Sequence, residues 1–468
     1  MIYLDISRLI RRIKVQTPTG IDRVEYEYAR YFLTRSGRYV AQVSNKIVEV
    51  PTWFVREIID AFGDRWNNGA EPDTLIENKV NLFFKYHSKN EIRDVKETYL
   101  IQIKNLGIKD RIHKINSERE SIEEYSGNFP WEIVRLGLLL IPGLIARFVS
   151  ASTTKVGDKR LKGTINATSE KSLYLNVGHS GLEIVELFRN LKQENGMRLA
   201  FYIHDVLPIS HPHLFKSDSS AKHMIAMKNV ACTADYIFTN SEFTKKELER
   251  LVDGISVSEV LNIGVSALAT RENNPASLRN GLVSIGTLEP RKNFLWLART
   301  WLSFCNKYPN VVGSETLTIY GKKGWLDDGS YDELIRLANS SQHLQVLSGA
   351  DDHQVNTSLG AARAYVSAAH VEGWGMPIAE SLLFGTPVLV TDVAAHREVS
   401  QGIGSFFPVD DESAFEELVL KLFSESFLES EIFRTRNFVS WRWDEHFEKL
   451  NKNVSNPHNL GQCGCFSE

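Results

Sequence analysis

Short apolar runs alternate with helix-length stretches along much of the chain. The first run covers residues 2–6, and a loop at 17–20 separates it from a helix predicted to begin near Ile21. From residue 172 the alternation is regular, with strand-like apolar runs at 173–177, 199–203, 236–239, 258–261, 282–285, 316–320, 345–347, 364–367 and 387–391. Strands separated by helix-length segments are typical of parallel βαβ units. The pattern therefore predicts an α/β fold with doubly wound sheets.

Three segments interrupt this alternation. Residues 266–280 are polar and contain Asn273-Asn274-Pro275, which indicates a linker between two α/β units. Residues 60–165 are charged and weakly periodic, which predicts an irregular, partly amphipathic insertion. The final residues, 453–468, lack apolar periodicity and are predicted to be disordered.

The insertion contains one strongly apolar segment, residues 131–149. Its uninterrupted apolar core, from Leu136 to Ala146, has eleven residues, whereas a helix that spans a bilayer needs about 20. Pro142-Gly143 also interrupts a helix in the middle of this core. Three interpretations stay open: a helical hairpin buried in the protein, an interfacial element that dips into one leaflet, and, least favoured, a spanning helix.

Composition excludes several classes of protein. The chain has 468 residues, more than one ordinary core holds. Its hydrophobic share of 43% and charged share of 24% are average for soluble globular proteins. These values exclude a disordered chain, a collagen-like fibre and a polytopic membrane protein. The net charge of −4 offers no strong field for nucleic acid, and no nucleic-acid partner is expected.

The net charge conceals an asymmetry between the two parts of the chain. Residues 1–165 hold 27 Lys and Arg against 21 Asp and Glu, whereas the remaining residues hold 27 against 37. The N-terminal surplus suggests a partner that is anionic, such as a phospholipid surface or a phosphorylated acceptor. A merely solvated surface is the alternative.

Cysteine usage and the N-terminus both favour the cytoplasm. The four cysteines are too few and too scattered for a disulfide framework and are interpreted as reduced thiols; they are Cys232, Cys305, Cys463 and Cys465. Residues 1–5 carry an acidic residue within their apolar run and no cleavage signal, so no signal peptide is expected.

The strongest candidate for chemistry is the motif EGWGMPIAE at Glu372–Glu380. It lies between a predicted strand and a predicted helix that begins near Pro377. A glycine-rich turn at this point exposes backbone N–H groups at the positive end of a helix, which suits a phosphate. Glu372 lies at the strand end, where ligands of open α/β sheets bind. Glu380 lies about one turn inside the helix and could reach a polar group of the same ligand.

Three further clusters follow predicted strands or precede a helix. GTLEPRKN at 286–293 places Arg291 and Lys292 together, as a guanidinium fork and a mobile charge suited to a diphosphate. His204 ends a buried strand and points toward the same kind of crevice, although a hydrogen-bonded structural histidine is the alternative. Gly20, in TGIDR, would let the backbone approach a ligand closely.

Together these motifs resemble the retaining GT-B glycosyltransferases of family 4. The sequences GTLEPRKN and HDVLPISHP are most similar to the O-antigen mannosyltransferase branch, and the resemblance covers about 172–450 and 1–35. It implies a GT-B fold, in which two doubly wound Rossmann-like domains face each other across a cleft. The expected parts are an acceptor-side domain (1–268), a donor-binding domain (269–440), a helix crossing back to the first domain (441–452) and the tail (453–468).

The resemblance also assigns roles to single residues. Glu372 and Glu380 match the two glutamates of the family's E-x7-E signature, the first beside the donor sugar and the second on the ribose hydroxyls. Lys292 matches the lysine that neutralises the leaving diphosphate, and His204 matches the histidine near the donor sugar. Glu372, His204 and Lys292 are therefore the expected catalytic residues.

Donor-binding roles are implied for the remaining motif residues. The turn at Gly373, Gly375 and Met376 would meet the diphosphate, and the Gly20 loop would close over it. One position departs from the family pattern, because Thr287 stands where many members have Arg. Arg291 is the candidate to supply the missing charge, and Thr287 and Asp205 are further site candidates.

The expected reaction is sugar transfer from a nucleotide-diphosphate donor to a glycan or lipid-linked acceptor in bacterial surface polysaccharide synthesis. GDP-mannose is the first expectation, and a dTDP- or UDP-sugar such as rhamnose or glucose is the alternative. A non-catalytic nucleotide-sugar sensor or scaffold is the alternative of another class. No cofactor or metal is expected, since the chain has no D-x-D pair. An oxidoreductase or a P-loop NTPase would need glycine motifs that the sequence lacks.

Overall fold

The computed structural model describes residues 1–71, 73–88, 172–265 and 274–455, which form two α/β domains. The strands are Ile2–Asp5 (β1), Arg38–Val43 (β2), Lys46–Val50 (β3), Leu173–Asn176 (β4), Arg198–Ile203 (β5), Tyr236–Thr239 (β6), Glu259–Val260 (β7), Leu282–Ile285 (β8), Leu317–Tyr320 (β9), Leu344–Leu347 (β10), Ala364–Ser367 (β11), Val388–Thr391 (β12) and Ser405–Phe407 (β13).

Helices of the N-terminal domain are Ser7–Arg11 (α1), Gly20–Leu33 (α2), Thr52–Asn68 (α3), Thr74–Ser88 (α4), Val185–Gln193 (α5), Leu207–Ser210 (α6), Ser219–Thr233 (α7) and Glu242–Leu251 (α8). Those that follow are Phe294–Lys307 (α9), Pro309–Val312 (α10), Asp328–Ser340 (α11), Asp352–Ala361 (α12), Met376–Leu383 (α13), Ala394–Val399 (α14), Glu412–Leu422 (α15), Glu425–Thr435 (α16) and Trp443–Ser455 (α17). Single 3-10 turns lie at Pro212–Leu214, Ala276–Leu278 and Pro290–Lys292.

Within the described residues, each domain is built on one sheet. The N-terminal sheet has the order β3-β2-β1-β4-β5-β6-β7 and the C-terminal sheet the order β10-β9-β8-β11-β12-β13. All neighbouring strands run parallel except β2 and β3, which form an antiparallel hairpin at the edge of the first sheet. Helices cover both faces, so the central strands are buried and consist of apolar runs. The predicted α/β class with two doubly wound domains is confirmed.

The prediction of irregular structure at 60–165 is wrong for its first part. Helices α3 and α4 follow each other in this part, and α4 ends at residue 88. Helix α3 forms because apolar side chains recur along it at helical spacing. Phe54, Ile58, Phe62 and Trp66 are all buried on one face. The rest of that insertion lies outside the described residues, and so does the apolar segment 131–149. No helix among the described ranges is both long and apolar enough to cross a membrane.

The chain returns to the N-terminal domain at its end. Helix α17 packs against α2, where the Tyr28 hydroxyl and His446 Nε2 are 2.6 Å apart and the Phe447 ring stacks on Tyr31 with centroids 3.7 Å apart. Helix α17 continues to Ser455, so the first residues of the predicted disordered tail are helical. Residues 456–468 lie outside the described part.

Residue Arg279 anchors the start of the C-terminal domain. Although it lies in the segment predicted as a polar linker, it is buried, and its guanidinium donates to the carbonyl oxygens of Gly360, Ala362 and Gly385 and to the Thr386 hydroxyl. The first two groups precede β11 and the last two precede β12, so all four lie at the amino ends of these parallel strands. The arginine therefore ties the domain's first residues to the edge of its central strands.

We expect Arg279→Met to lower the free energy of unfolding by about 3 kcal/mol, because several buried carbonyls would lose their donor at once. Urea titration followed by tryptophan fluorescence would measure the change. Arg299→Met is the matched control, since Arg299 is exposed on α9 and pairs with Glu333 at the surface; its effect should stay below about 0.5 kcal/mol. Equal effects of the two variants would contradict the anchoring role.

Candidate active site

Two neighbouring parallel strands, β8 and β11, bring two of the predicted motifs together. Because the strands are paired, the segments that follow their carboxyl ends lie side by side. The backbone N–H of His370 donates to the carbonyl of Arg291 at 2.8 Å, which links the two segments directly. Segment 286–293 and the glycine-rich turn before α13 are thus fixed against each other by the sheet.

Glu372 lies between the two cations of the other segment. Its Oε2 is 2.5 Å from Arg291 Nη1, and its Oε1 accepts a hydrogen bond from Lys292 Nζ. Burial alone would raise the pKa of Glu372, but Arg291 and Lys292 lower it to about 2. The carboxylate is therefore ionised at neutral pH, and it holds both cations at the strand ends.

Glu289 completes this network and was not predicted from the sequence. It is 2% exposed, and its Oε1 lies 2.5 Å from Arg291 Nε, so Arg291 is clamped between two buried carboxylates. Burial raises the pKa of Glu289 to about 7, although Arg291 and Lys292 oppose that shift. In the sequence, nothing distinguishes Glu289 from other charged residues in turns. Arg291 points into the site, which supports its candidacy for the charge missing at Thr287.

The glycines of the turn before α13 let its backbone approach the backbone of the N-terminal domain. Gly375 has a φ of +101° and precedes the first residue of α13, so an L side chain would be strained there. A Cβ on Gly373 would lie 2.6 Å from the carbonyl oxygen of His204, in the other domain. The Ser241 hydroxyl donates to the Gly373 carbonyl at 2.9 Å. The turn is therefore pressed against the N-terminal domain.

His204 is buried at the end of β5 and its side chain is hydrogen-bonded. Its Nε2 lies 2.8 Å from the carbonyl oxygen of Val177, which follows β4, and its backbone N–H donates to His179 Nε2 at 3.1 Å. Burial lowers the pKa of His204 to about 4, so the ring is neutral at physiological pH. Asp205 accepts from the N–H of Leu207 at the start of α6. Sequence reasoning missed His179, which has a φ of +57°.

The Gly20 loop contacts the glycine-rich turn from the opposite side. Thr19 and Asp22 form a capping box that fixes the start of α2. A Cβ on Gly20 would lie 3.1 Å from Met376 Cε, so glycine keeps the two domains in close contact here. That these two motifs enclose a diphosphate stays a prediction.

Near Glu380, a half-buried ion pair spans the two domains. Arg23 of α2 makes two hydrogen bonds to Asp352 of α12, at 2.7 and 2.5 Å. Burial and the charge of Asp352 raise the pKa of Glu380, while the charge of Arg23 lowers it. Neither Arg23 nor Asp352 was predicted, since their pairing depends on how the domains meet. No cluster of three or more His, Cys, Asp or Glu suited to a metal occurs within the described ranges.

Comparison with known proteins relates the C-terminal domain to one family. The sequence model for "Glycosyl transferases group 1" matches residues 279–425, which include β8, β11, Glu372 and Lys292. This part of the chain is therefore similar to the group 1 glycosyltransferases. The fold of the chain is GT-B, and the resemblance inferred from the motifs is confirmed.

Two sequence relatives come from Escherichia coli. The serotype-specific mannosyltransferase WbdA is 24% identical over 283 residues, which are 55% of this chain and 34% of WbdA. O-antigen chain mannosyltransferase B is 23% identical over 233 residues, covering 47% of this chain and 59% of the relative. The chain therefore spans about a third of the length of WbdA, and the similarity is distant.

A solved structure has the same architecture. The α,α-trehalose-phosphate synthase (UDP-forming) of Burkholderia vietnamiensis matches with a TM-score of 0.50 and 12% identity, over 67% of this chain and 77% of the synthase. At this identity the likeness concerns the fold alone.

Removal of the central cation, Arg291, should destabilise the protein in a pH-dependent way. In Arg291→Met, the pKa values of Glu289 and Glu372 rise in the native state above the unfolded value. The unfolded state then binds fewer protons, so native stability falls as pH rises. We expect a loss of about 3 kcal/mol at pH 8 and a clearly smaller loss at pH 5.5, measured by urea unfolding.

Arg250→Met is the matched control, because Arg250 pairs with Glu247 on the exposed face of α8. Its effect should be small and nearly equal at the two pH values. A loss for Arg291→Met that does not change with pH would contradict the proposed charge balance.

Proposed function

We propose that this protein is a group 1 glycosyltransferase that moves a sugar from a nucleotide-diphosphate donor to a hydroxyl of a glycan or lipid-linked acceptor, with retention. GDP-mannose is the first candidate donor, and the distant relatives, both named as mannosyltransferases, support that choice. The observation that carries the proposal is the ionised Glu372 between Arg291 and Lys292. The next residue, Gly373, lies against the His204 carbonyl of the N-terminal domain.

On the donor side, the diphosphate would lie between Lys292 and the first turn of α13. The exposed N–H groups of that turn carry partial positive charge, and Lys292 adds a full charge. Negative charge develops on the diphosphate as the glycosidic bond breaks, so these groups stabilise the transition state more than the ground state. Arg291, clamped by Glu289 and Glu372, is rigid and adds a fixed cation.

Near the sugar, Glu372 would accept hydrogen bonds from hydroxyls of the ring, and Glu380 from the ribose of the nucleotide. His204 would contact the sugar from the N-terminal domain through the segment that Gly373 approaches. The bond between the anomeric carbon and the diphosphate breaks with its electrons on the leaving oxygen. The acceptor oxygen attacks from the same face, and its proton passes to that leaving oxygen.

Acceptor and location are proposed from the sequence. A glycan or lipid-linked acceptor of surface polysaccharide synthesis fits the mannosyltransferase resemblance. A peripheral position on the cytoplasmic face of the inner membrane is proposed through residues 131–149, which lie outside the described residues. Vesicle sedimentation of the intact protein and of a variant lacking 136–146 would test this contact.

A panel of GDP-, UDP- and dTDP-sugars tests the donor directly. We expect one donor to bind by calorimetry with at least tenfold preference, and GDP-mannose is the first candidate. Preference for a UDP- or dTDP-sugar would keep the reaction class and change the donor. Absence of binding to every donor would contradict the proposal, and binding without transfer to any acceptor extract would favour a sensor or scaffold.

Substitution of Glu372 or Lys292 should strongly slow sugar transfer and leave the fold intact. We expect Glu372→Gln and Lys292→Met to lower kcat/KM by about 100-fold or more, because each removes a contact to sugar or diphosphate. Lys307→Met is the control, since Lys307 is exposed on α9 and pairs with Glu416; its rate should stay within about twofold. Unchanged transfer in both site variants would show that the roles are wrong.

The proposed reaction requires no metal, because protein cations neutralise the diphosphate. Rates measured in excess EDTA should equal those measured with added Mg²⁺ or Mn²⁺ within about twofold. Loss of transfer in EDTA, with recovery on adding one of these ions, would contradict metal independence.

A further inference from the structure

A second group of cations lies around the loop before α2, apart from Arg291 and Lys292. Arg8 donates from Nε to Asp22 Oδ1 at 2.7 Å and from Nη2 to the Thr19 hydroxyl at 3.1 Å. Arg12 donates from Nε to Asp22 Oδ2 at 3.1 Å. Lys322, from the C-terminal domain, donates to the carbonyl of Thr17 at 2.6 Å. These three cations, here named the basic cluster, surround the turn that leads into α2.

The basic cluster has more positive charge than its surroundings neutralise. Among the described residues, Asp22 is the carboxylate that pairs with Arg8 and Arg12, and Lys322 has no ion-pair partner. Burial would raise the pKa of Asp22, but Arg8, the Thr19 N–H and Arg12 lower it, so Asp22 is ionised. Three cations thus face one negative charge.

Other carboxyls near the basic cluster do not restore the balance. Glu25 and Asp5 are fully buried beneath it, and desolvation raises the pKa of both, that of Glu25 strongly. Burial and the charge of Arg12 lower the pKa of Lys322, which reflects repulsion between the cations of the two domains. An anion placed between Arg12 and Lys322 would relieve that repulsion.

The basic cluster adjoins the proposed acceptor side of the site. A Cβ on Gly178 would lie 3.0 Å from Arg8 Cβ, and the preceding residue, Val177, bonds His204. The turn that the cluster holds contains Gly20, which meets Met376. The side chains of Arg8 and Arg12 are each 27% exposed, so solvent and ligands can reach them.

We propose that Arg8, Arg12 and Lys322 bind an oxyanion carried by the acceptor, a phosphate or a carboxylate. Guanidinium forks and a mobile ammonium suit the oxygens of such a group. The proposal rests on the proposed glycosyl transfer and specifies the acceptor as anionic. It also gives a location to part of the positive surplus of residues 1–165. Because Lys322 belongs to the other domain, an anionic acceptor would favour the arrangement in which the two domains are in contact.

Inorganic phosphate is the probe, titrated calorimetrically into the full-length protein. We expect Arg12→Gln and Lys322→Gln to weaken phosphate binding by at least about tenfold. The matched controls are their sequence neighbours, Arg11→Gln and Lys323→Gln. Arg11 is exposed and donates to the Gln42 carbonyl, while Lys323 pairs with Asp328 at the surface. Both controls should stay within about twofold, and circular dichroism would verify folding of all four.

A second titration separates the two sources of phosphate. With the preferred nucleoside diphosphate saturating the donor site, phosphate should still bind, and nucleotide affinity in both site variants should stay within about threefold. Competition between phosphate and nucleotide, with loss of nucleotide affinity in the variants, would assign the basic cluster to the donor and overturn the proposal.

The remaining outcomes of the phosphate titration also give clear answers. Equal weakening in variants and controls, or no phosphate binding, would mean that the cations only hold the turn, which also overturns the proposal. Should Arg12→Gln fail to fold, Arg12→Lys with Lys322→Gln replaces it, and phosphate affinity is again decisive. Phosphate binding needs no sugar transfer, so failure of the donor panel with retained phosphate binding would contradict the proposed function and leave the anion site intact.

Discussion

Pairing between the parallel strands β8 and β11 is the constraint on which the site depends. It places Arg291 and Lys292 within reach of Glu372, and the resulting ion pairs keep the carboxylate charged in a buried position. Buried charges are tolerated only when partners compensate their desolvation. The sheet therefore decides the electrostatics of the site before any ligand binds, and Glu289 extends the same network by orienting Arg291 from its other side.

Two glycines let the site lie in close contact with the other domain. Gly373 and Gly20 lie where a Cβ would collide with, or crowd, atoms across the domain contact. Glu398 adds a polar link, since it accepts hydrogen bonds from the first N–H groups of α8, at Glu242 and Phe243. Helix α17 fastens the end of the chain to α2 through His446 and Tyr28. Both domains thereby contribute residues around the candidate site in the described arrangement.

Much of this fold was predictable because buried parallel strands consist of short apolar runs. All nine apolar runs from residue 173 onward contain strands. Strands β2 and β3 were missed because polar residues such as Gln42 and Lys46 interrupt their apolar character. Glycine-rich turns and adjacent cations were visible in the sequence. The pairings of Arg23, Arg279 and Glu289 were not, since each depends on how the folded chain orients these side chains.

A crystal structure of the protein with its preferred nucleoside diphosphate would test the central claim most directly. The account predicts that the diphosphate oxygens contact Lys292 and the backbone N–H groups at the start of α13, with the ribose at Glu380 and Glu372 still beside Arg291. A nucleotide bound elsewhere, with the pairs of Glu372 to Arg291 and Lys292 undisturbed and remote from it, would contradict the account.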